Sequence, residues 1–219
     1  GSHGCGDTQF LNVKNVALHG QGSEQCVAAV DHDLGRVLIF NVESGACVAT
    51  AGSKGTQAGQ LETPIGVAIN ARGQLFVSDS SLNRVQVYDL KGTYVRGFGV
   101  SGPGNGQLCQ PRGLAFTAKG DLVVVDSGNY RVQVLREDGT FVRSIGSRGQ
   151  GNGKFQFPVG VCAGHNERIL VTDGVNCCVQ VFDSGGAFLH SLGCKGDAPG
   201  QFGYPYDVVV AEGGEILVA

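Results

Sequence analysis

Seven cationic side chains and two tyrosines are the residues best suited to touch a ligand: Lys14, Lys54, Arg84, Arg112, Arg131, Arg148 and Lys154, with Tyr130 and Tyr206. Cations of this kind contact phosphate oxygens, and aromatic rings stack on splayed bases, so the combination suits single-stranded RNA. The formal net charge is −3. That excludes attraction of the whole molecule to nucleic acid or acidic membranes, yet leaves room for a local basic face. The plain alternative is a solvated loop face with ordinary Lys and Arg, in which nearby Phe155, Phe157, Phe202 and Tyr204 only pack between structural units. A purely protein-binding or self-associating surface would use the same residues.

Other chemistries find less support. Metal catalysis needs convergent ligands and an open coordination position, whereas His19, His32, His165 and His190 are scattered along the chain. No G-x-S-x-G nucleophile elbow is present, and "GQGNGK" (Gly149 to Lys154) resembles a phosphate-cradling loop but is followed by no helical segment. Cysteines stand at 5, 26, 47, 109, 162, 177, 178 and 194 without a C-x-x-C pair or zinc-ligand spacing. Cys26, Cys47 and Cys162 lie in strand-like runs, where Cys serves as a small buried hydrophobe. A reduced, cytoplasmic protein with no metal and no cofactor is the expectation. Cys177-Cys178 reads as a structural loop tip, since nothing near it in sequence lowers a thiol pKa.

The elements that must position these residues repeat. Pro64, Pro111, Pro158 and Pro205 are each 47 residues apart. Gly66, Gly113 and Gly160 keep the same period, as do Asp79, Asp126 and Asp173. Each unit holds four short apolar runs; in one copy they are Gly113–Thr117, Leu122–Val125, Arg131–Leu135 and Phe141–Ile145, separated by Gly- and Asp-rich turns. Four antiparallel strands repeated every 40 to 50 residues describe the blades of a β-propeller, all-β in class. Blades are expected at about 9–52, 64–99, 111–146 and 158–193, with part of a fifth at 205–219, all in one domain spanning 4–219. Gly1-Ser2-His3 reads as a cloning remnant and is set apart.

Repetition also separates two kinds of residue. What recurs in every unit serves the blade: the aspartates accept from backbone N–H groups of the turn that follows, and Arg84 and Arg131 open the third strand within reach of those turns. The recurrent glycines allow close strand approach. The residue after the repeat proline varies instead: Ile65, Arg112, Val159 and Tyr206, with Lys14 aligned in the first unit. That position opens the innermost strand, at the end of the blade that also carries the inter-blade connectors and the loops between second and third strands. Lys54, Arg148 and Lys154 lie on those connectors and Tyr130 on one of those loops.

The units "PIGVAINARGQLFVSDSSLNRVQVYDLKGTYVRGFG", "PRGLAFTAKGDLVVVDSGNYRVQVLREDGTFVRSIG" and "PVGVCAGHNERILVTDGVNCCVQVFDSGGAFLHSLG" resemble the NHL repeat, from about Phe10 to Ala219. The resemblance extends to the C-terminal domain of TRIM-type RING ubiquitin ligases. It implies a non-catalytic recognition domain of a larger protein, whose loop face binds RNA, single-stranded or stem-loop, or a protein target; the ligase chemistry would lie in a RING elsewhere. NHL repeats also form amidating lyases, but the histidine cluster expected of those is missing here. TRIM-type domains usually close with six blades, so four and a part imply either further sequence beyond Ala219, which is the expectation, or an open or unusual propeller.

Overall fold

The computed structural model describes residues 8–164 and 167–219. Gly1-Ser2-His3, Cys5 and His165 lie outside the described residues.

Four four-stranded antiparallel sheets form the fold. The first contains β1 (Val13–His19), β2 (Cys26–Asp31), β3 (Arg36–Asn41) and β4 (Cys47–Ala51). The second contains β5 (Pro64–Ile69), β6 (Gln74–Asp79), β7 (Arg84–Asp89) and β8 (Tyr94–Phe98). The third contains β9 (Pro111–Phe116), β10 (Leu122–Asp126), β11 (Arg131–Leu135) and β12 (Phe141–Ile145). A short parallel pair, β13 (Ser147–Arg148) with β14 (Lys154–Phe155), forms the next connector. The fourth sheet contains β15 (Pro158–Ala163), β16 (Ile169–Asp173), β17 (Cys178–Phe182) and β18 (Phe188–Leu192). A two-stranded ladder follows, β19 (Val208–Val210) with β20 (Ile216–Val218). The all-β propeller class stands.

The chain divides into two compact units, one ending at Ser101 with two sheets and one beginning at Gly102 with the rest. In the first, Val30, Val37 and Ile39 pack against Leu75, Val77 and the fully buried Tyr88. In the second, Val123, Val125, Val132 and Val134 meet Phe155, Val161, Val171 and Phe182. The middle strands of the fourth sheet, β16 and β17, are covered on one face by the third sheet and on the other by Val208 and Val210. Ile169–Asp173 is therefore buried throughout and reads as a nearly continuous apolar run and not as alternation.

The first strand of each sheet carries the same irregularity. Pro111 pairs with Asp126, yet the next paired residue on β9 is Leu114, opposite Val124. Arg112 and Gly113 therefore occupy a β-bulge, which bends the strand and re-aims its side chains. The same step occurs between Pro64 and Val67, between Pro158 and Val161, and between Val13 and Val16. Gly113 is required there because a Cβ would lie 2.8 Å from the Val159 carbonyl oxygen of the adjacent strand. Gly160 repeats the arrangement, with the Tyr206 carbonyl oxygen 2.7 Å from such a Cβ.

Candidate ligand-binding face

The register defines one end of each blade. Pro111 lies opposite Asp126, Asp126 opposite Arg131, and Val132 opposite Ile145. The strand opening, the loop between second and third strands and both inter-blade connectors of that blade therefore share an end.

A buried polar clamp fixes this end. Asp79, fully buried, accepts from the backbone N–H groups of Glu62 at 3.0 Å and Thr63 at 2.9 Å. Asp173 does the same for Gln156 at 2.8 Å and Phe157 at 3.0 Å, and Asp126 for Cys109 at 2.6 Å. The carboxylates thus hold the connector arriving at the repeat proline, and Asp173 also takes an N–H of the turn that follows, from Asn176. The turn in return donates to the connector, Ser80 to Thr63, Gly128 to Cys109 and Gly174 to Phe157, while the connector N–H groups have no strand to pair with and need a buried acceptor. Gln86, Gln133 and Gln180 complete the clamp: their Oε1 atoms accept from Gly59, Gly106 and Gly153, and their Nε2 groups donate to the carbonyls of Gln60, Gln107 and Lys154. This glutamine sits in every R-V-Q-V or C-V-Q-V segment, and its 47-residue spacing was the signal that it belongs to the scaffold.

Arg84 and Arg131 belong to the same clamp. Arg131 donates from Nε to Asp126 at 2.7 Å and from Nη2 to the carbonyls of Gly104 at 2.7 Å and Gln107 at 3.0 Å. Arg84 donates to the carbonyls of Gln57 at 3.0 Å and Gln60 at 2.8 Å, with Asp79 3.7 Å away. In the same unit, Lys54 is held by the Glu62 carbonyl and carboxylate, and Lys14 sits in the β1 bulge, half-buried.

The second unit brings the other candidates into two groups. Arg112 places its guanidinium carbon 4.7 Å from the Phe157 ring centroid. Phe157 in turn lies 6.3 Å from the ring of Tyr204, which is 49% exposed. Burial pushes the Tyr204 phenol up, the Arg112 charge opposes that shift, and Tyr206 and Asp173 add to it, so these three groups surround Tyr204 closely. Ile65 and Val159, at the bulge position of other blades, are buried. Arg112 instead runs its stem along this wall and keeps a charged head over an aromatic face. Gln110, exposed and two residues earlier, holds φ at +49° directly before Pro111, a combination that costs about 1–3 kcal/mol.

In the other group the Arg148 guanidinium carbon lies 4.8 Å from the Tyr130 ring centroid, with exposed Lys154 paired across β13 and β14. Asn83, Tyr130 and Cys177 occupy equivalent loop positions and all have left-handed backbones, at φ of +52°, +56° and +53°. Asn tolerates that conformation and Tyr does not. Tyr130→Asn should therefore leave the unfolding free energy from urea titration within about 1 kcal/mol of unchanged, relief of the backbone offsetting lost packing. It should nonetheless weaken ligand binding, checked by titration on the same protein.

Sequence reasoning passed over Lys195, which stands at the connector position of Lys54 and Arg148 and was legible from that register alone. It also set Phe155 beside the face, whereas Phe155 is fully buried and anchors the connector, as Leu61 and Leu108 do in theirs. Burial drives the Cys178 thiol up to about 11, so this cysteine stays protonated near neutral pH. No helix among the described residues is long and apolar enough to cross a membrane.

Comparison with known proteins gives three findings. The family model described as NHL repeat matches residues 61–88, 108–135 and 155–182. Protein lin-41 of Caenorhabditis elegans is 35% identical over 81 residues, 37% of this chain and 7% of the length of that relative. Among solved structures, virginiamycin B lyase from Staphylococcus aureus superposes with a TM-score of 0.70 at 13% identity, covering 97% of this chain and 64% of that one. A chain of a nidogen/laminin complex gives 0.65 at 20% identity, covering 84% and 64%. At such identities these two similarities concern the fold alone.

Proposed function

We propose that this chain, which carries NHL repeats, is a non-catalytic recognition domain of a larger TRIM-type ubiquitin ligase and binds RNA through the blade end just described. The observation that supports this reading best is the Arg112 guanidinium stacked on Phe157 beside half-exposed Tyr204. Such an assembly offers a cation for phosphate and an aromatic plane for a splayed base within a few ångströms. Arg148 and Lys154 extend the cationic track, and Tyr130 supports the first of them. Arg84, Arg131 and Lys54 contribute mainly by fixing the connector backbone, and Lys14 and Tyr206 supply the equivalent bulge positions of their own repeats. The ubiquitin-ligase context rests on the resemblance of the repeats, with the catalytic step outside these residues. A cytoplasmic setting fits the use of Cys26 and Cys177 as buried small side chains.

Titration of a pool of random RNAs over a range of salt concentrations tests the reading. Three phosphate contacts, from Arg112, Arg148 and Lys154, should give a log–log slope of about −2, at roughly −0.7 per contact for single strands. Absence of binding even at low salt would remove RNA as the ligand and leave a protein target.

A further inference from the structure

Blade four departs from its siblings at one point, and the departure opens a cleft. Arg36, Arg84 and Arg131 start the third strand of their sheets, and the equivalent residue on β17 is Cys178. Each arginine donates to connector carbonyls: Arg36 to Gln9, Arg84 to Gln57 and Gln60, Arg131 to Gly104 and Gln107. One repeat further on, the corresponding carbonyls are those of Gly151 and Lys154. The short thiol reaches neither. Asn176 reaches only the second of them, at a long 3.4 Å, while its 3.3 Å contact with the Gly149 carbonyl repeats the one that Asn129 makes with Gly102.

Where the guanidinium lies in the other blades, a cleft of about 410 Å³ opens to solvent, lined among others by Gly151, Asn152, Gln156, Cys178 and Gln180. Its size is within the ~300–1,000 Å³ usual for ligand sites. Fully buried Asp173, paired with Cys178 across the ladder, stands behind it as the nearest negative charge, adding to the burial that raises the thiol pKa. Lys195 is the cation on the rim.

We propose that this cleft receives the side chain of an arginine from a partner protein segment, the guanidinium taking the position that Arg131 holds in its own blade. Planar, multiply donating Arg fits a fan of carbonyl acceptors as the point charge of Lys does not. Asn152 and Gln156 line the same cleft with amide side chains. The inference does not rest on RNA binding: it uses neither Arg112 nor the Tyr130–Arg148 pair, and of Lys154 it uses the backbone carbonyl and not the side chain.

The test is calorimetric titration of the chain with a blocked Gly-Gly-Arg-Gly-Gly peptide, its Lys counterpart and methylguanidinium. The Arg peptide should bind at least tenfold more tightly than either. Cys178→Ala should keep that affinity, and Lys195→Gln should raise it by removing the opposing charge. Cys178→Arg, which supplies the guanidinium internally, should abolish binding and raise the thermal midpoint; Cys178→Leu blocks the same space should that variant fail to fold. Equal affinity for the Lys peptide, or binding that survives both filling variants, overturns the site. Equal affinity for methylguanidinium overturns the assignment to a protein segment.

Discussion

Replacement of Asp126 by alanine should destabilise the chain by about 3–5 kcal/mol, the range for removing one partner of a buried ion pair. Asp126 is fully buried and takes four donors at once: the Cys109 N–H, Asn129, the Arg131 guanidinium and the Gln133 amide. Its loss strands a guanidinium that is only 12% exposed and releases the connector leading into β9. Asp173→Ala serves as the internal comparison. That carboxylate holds the N–H groups of Gln156, Phe157 and Asn176 and the Asn176 amide, but Cys178 replaces the arginine. Its removal leaves hydrogen-bond donors unsatisfied without orphaning a cation, so the loss should be smaller. Urea unfolding followed by circular dichroism measures both; equal losses would show that the arginine adds nothing to the clamp.

The second large effect is on binding. Tyr204→Ala should cost about 1–3 kcal/mol of RNA affinity, the value of one stacked base. Arg112→Ala should also weaken binding and reduce the salt slope by about 0.7, the contribution of one phosphate contact. Its effect on stability should stay near 1 kcal/mol, because the structural interaction lost with Phe157 is a partly exposed cation–π contact. Fluorescence anisotropy with a labelled RNA, run beside urea unfolding, separates the two quantities. A stability loss of several kcal/mol with unchanged affinity would return Arg112 to the scaffold.

What the sequence disclosed followed from its period. The recurring Pro, Gly and Asp placed the strands, and the varying residue after each proline marked the bulge from which Arg112 projects. The limits were those of local reading. The acceptor role of the aspartates was legible, but their donors lie 16 or 17 residues upstream, on a connector whose path depends on the preceding blade. The period marks Gln133 as scaffold, but its partners Gly106 and Gln107 lie 27 and 26 residues upstream, beyond any local reading. Phe157 and Tyr204 come from the two repeats after that of Arg112, so no window around "QPRGLAF" contains the stack. The significance of Cys178 was half legible: the substitution for arginine was plain, the cleft that it opens was not.

The clamp also bears on how the polypeptide acquires its structure. The longest of its bonds, from Gly59 to Gln86, Gly106 to Gln133 and Gly153 to Gln180, each join residues 27 apart. For an all-β protein this is a short sequence separation, and short separations favour rapid folding. Once a third strand has emerged during synthesis, the connector ahead of it can be tied down, without waiting for the remainder of the chain. Each repeat therefore has the means to consolidate in turn, with its connector already in the shape that a ligand would meet.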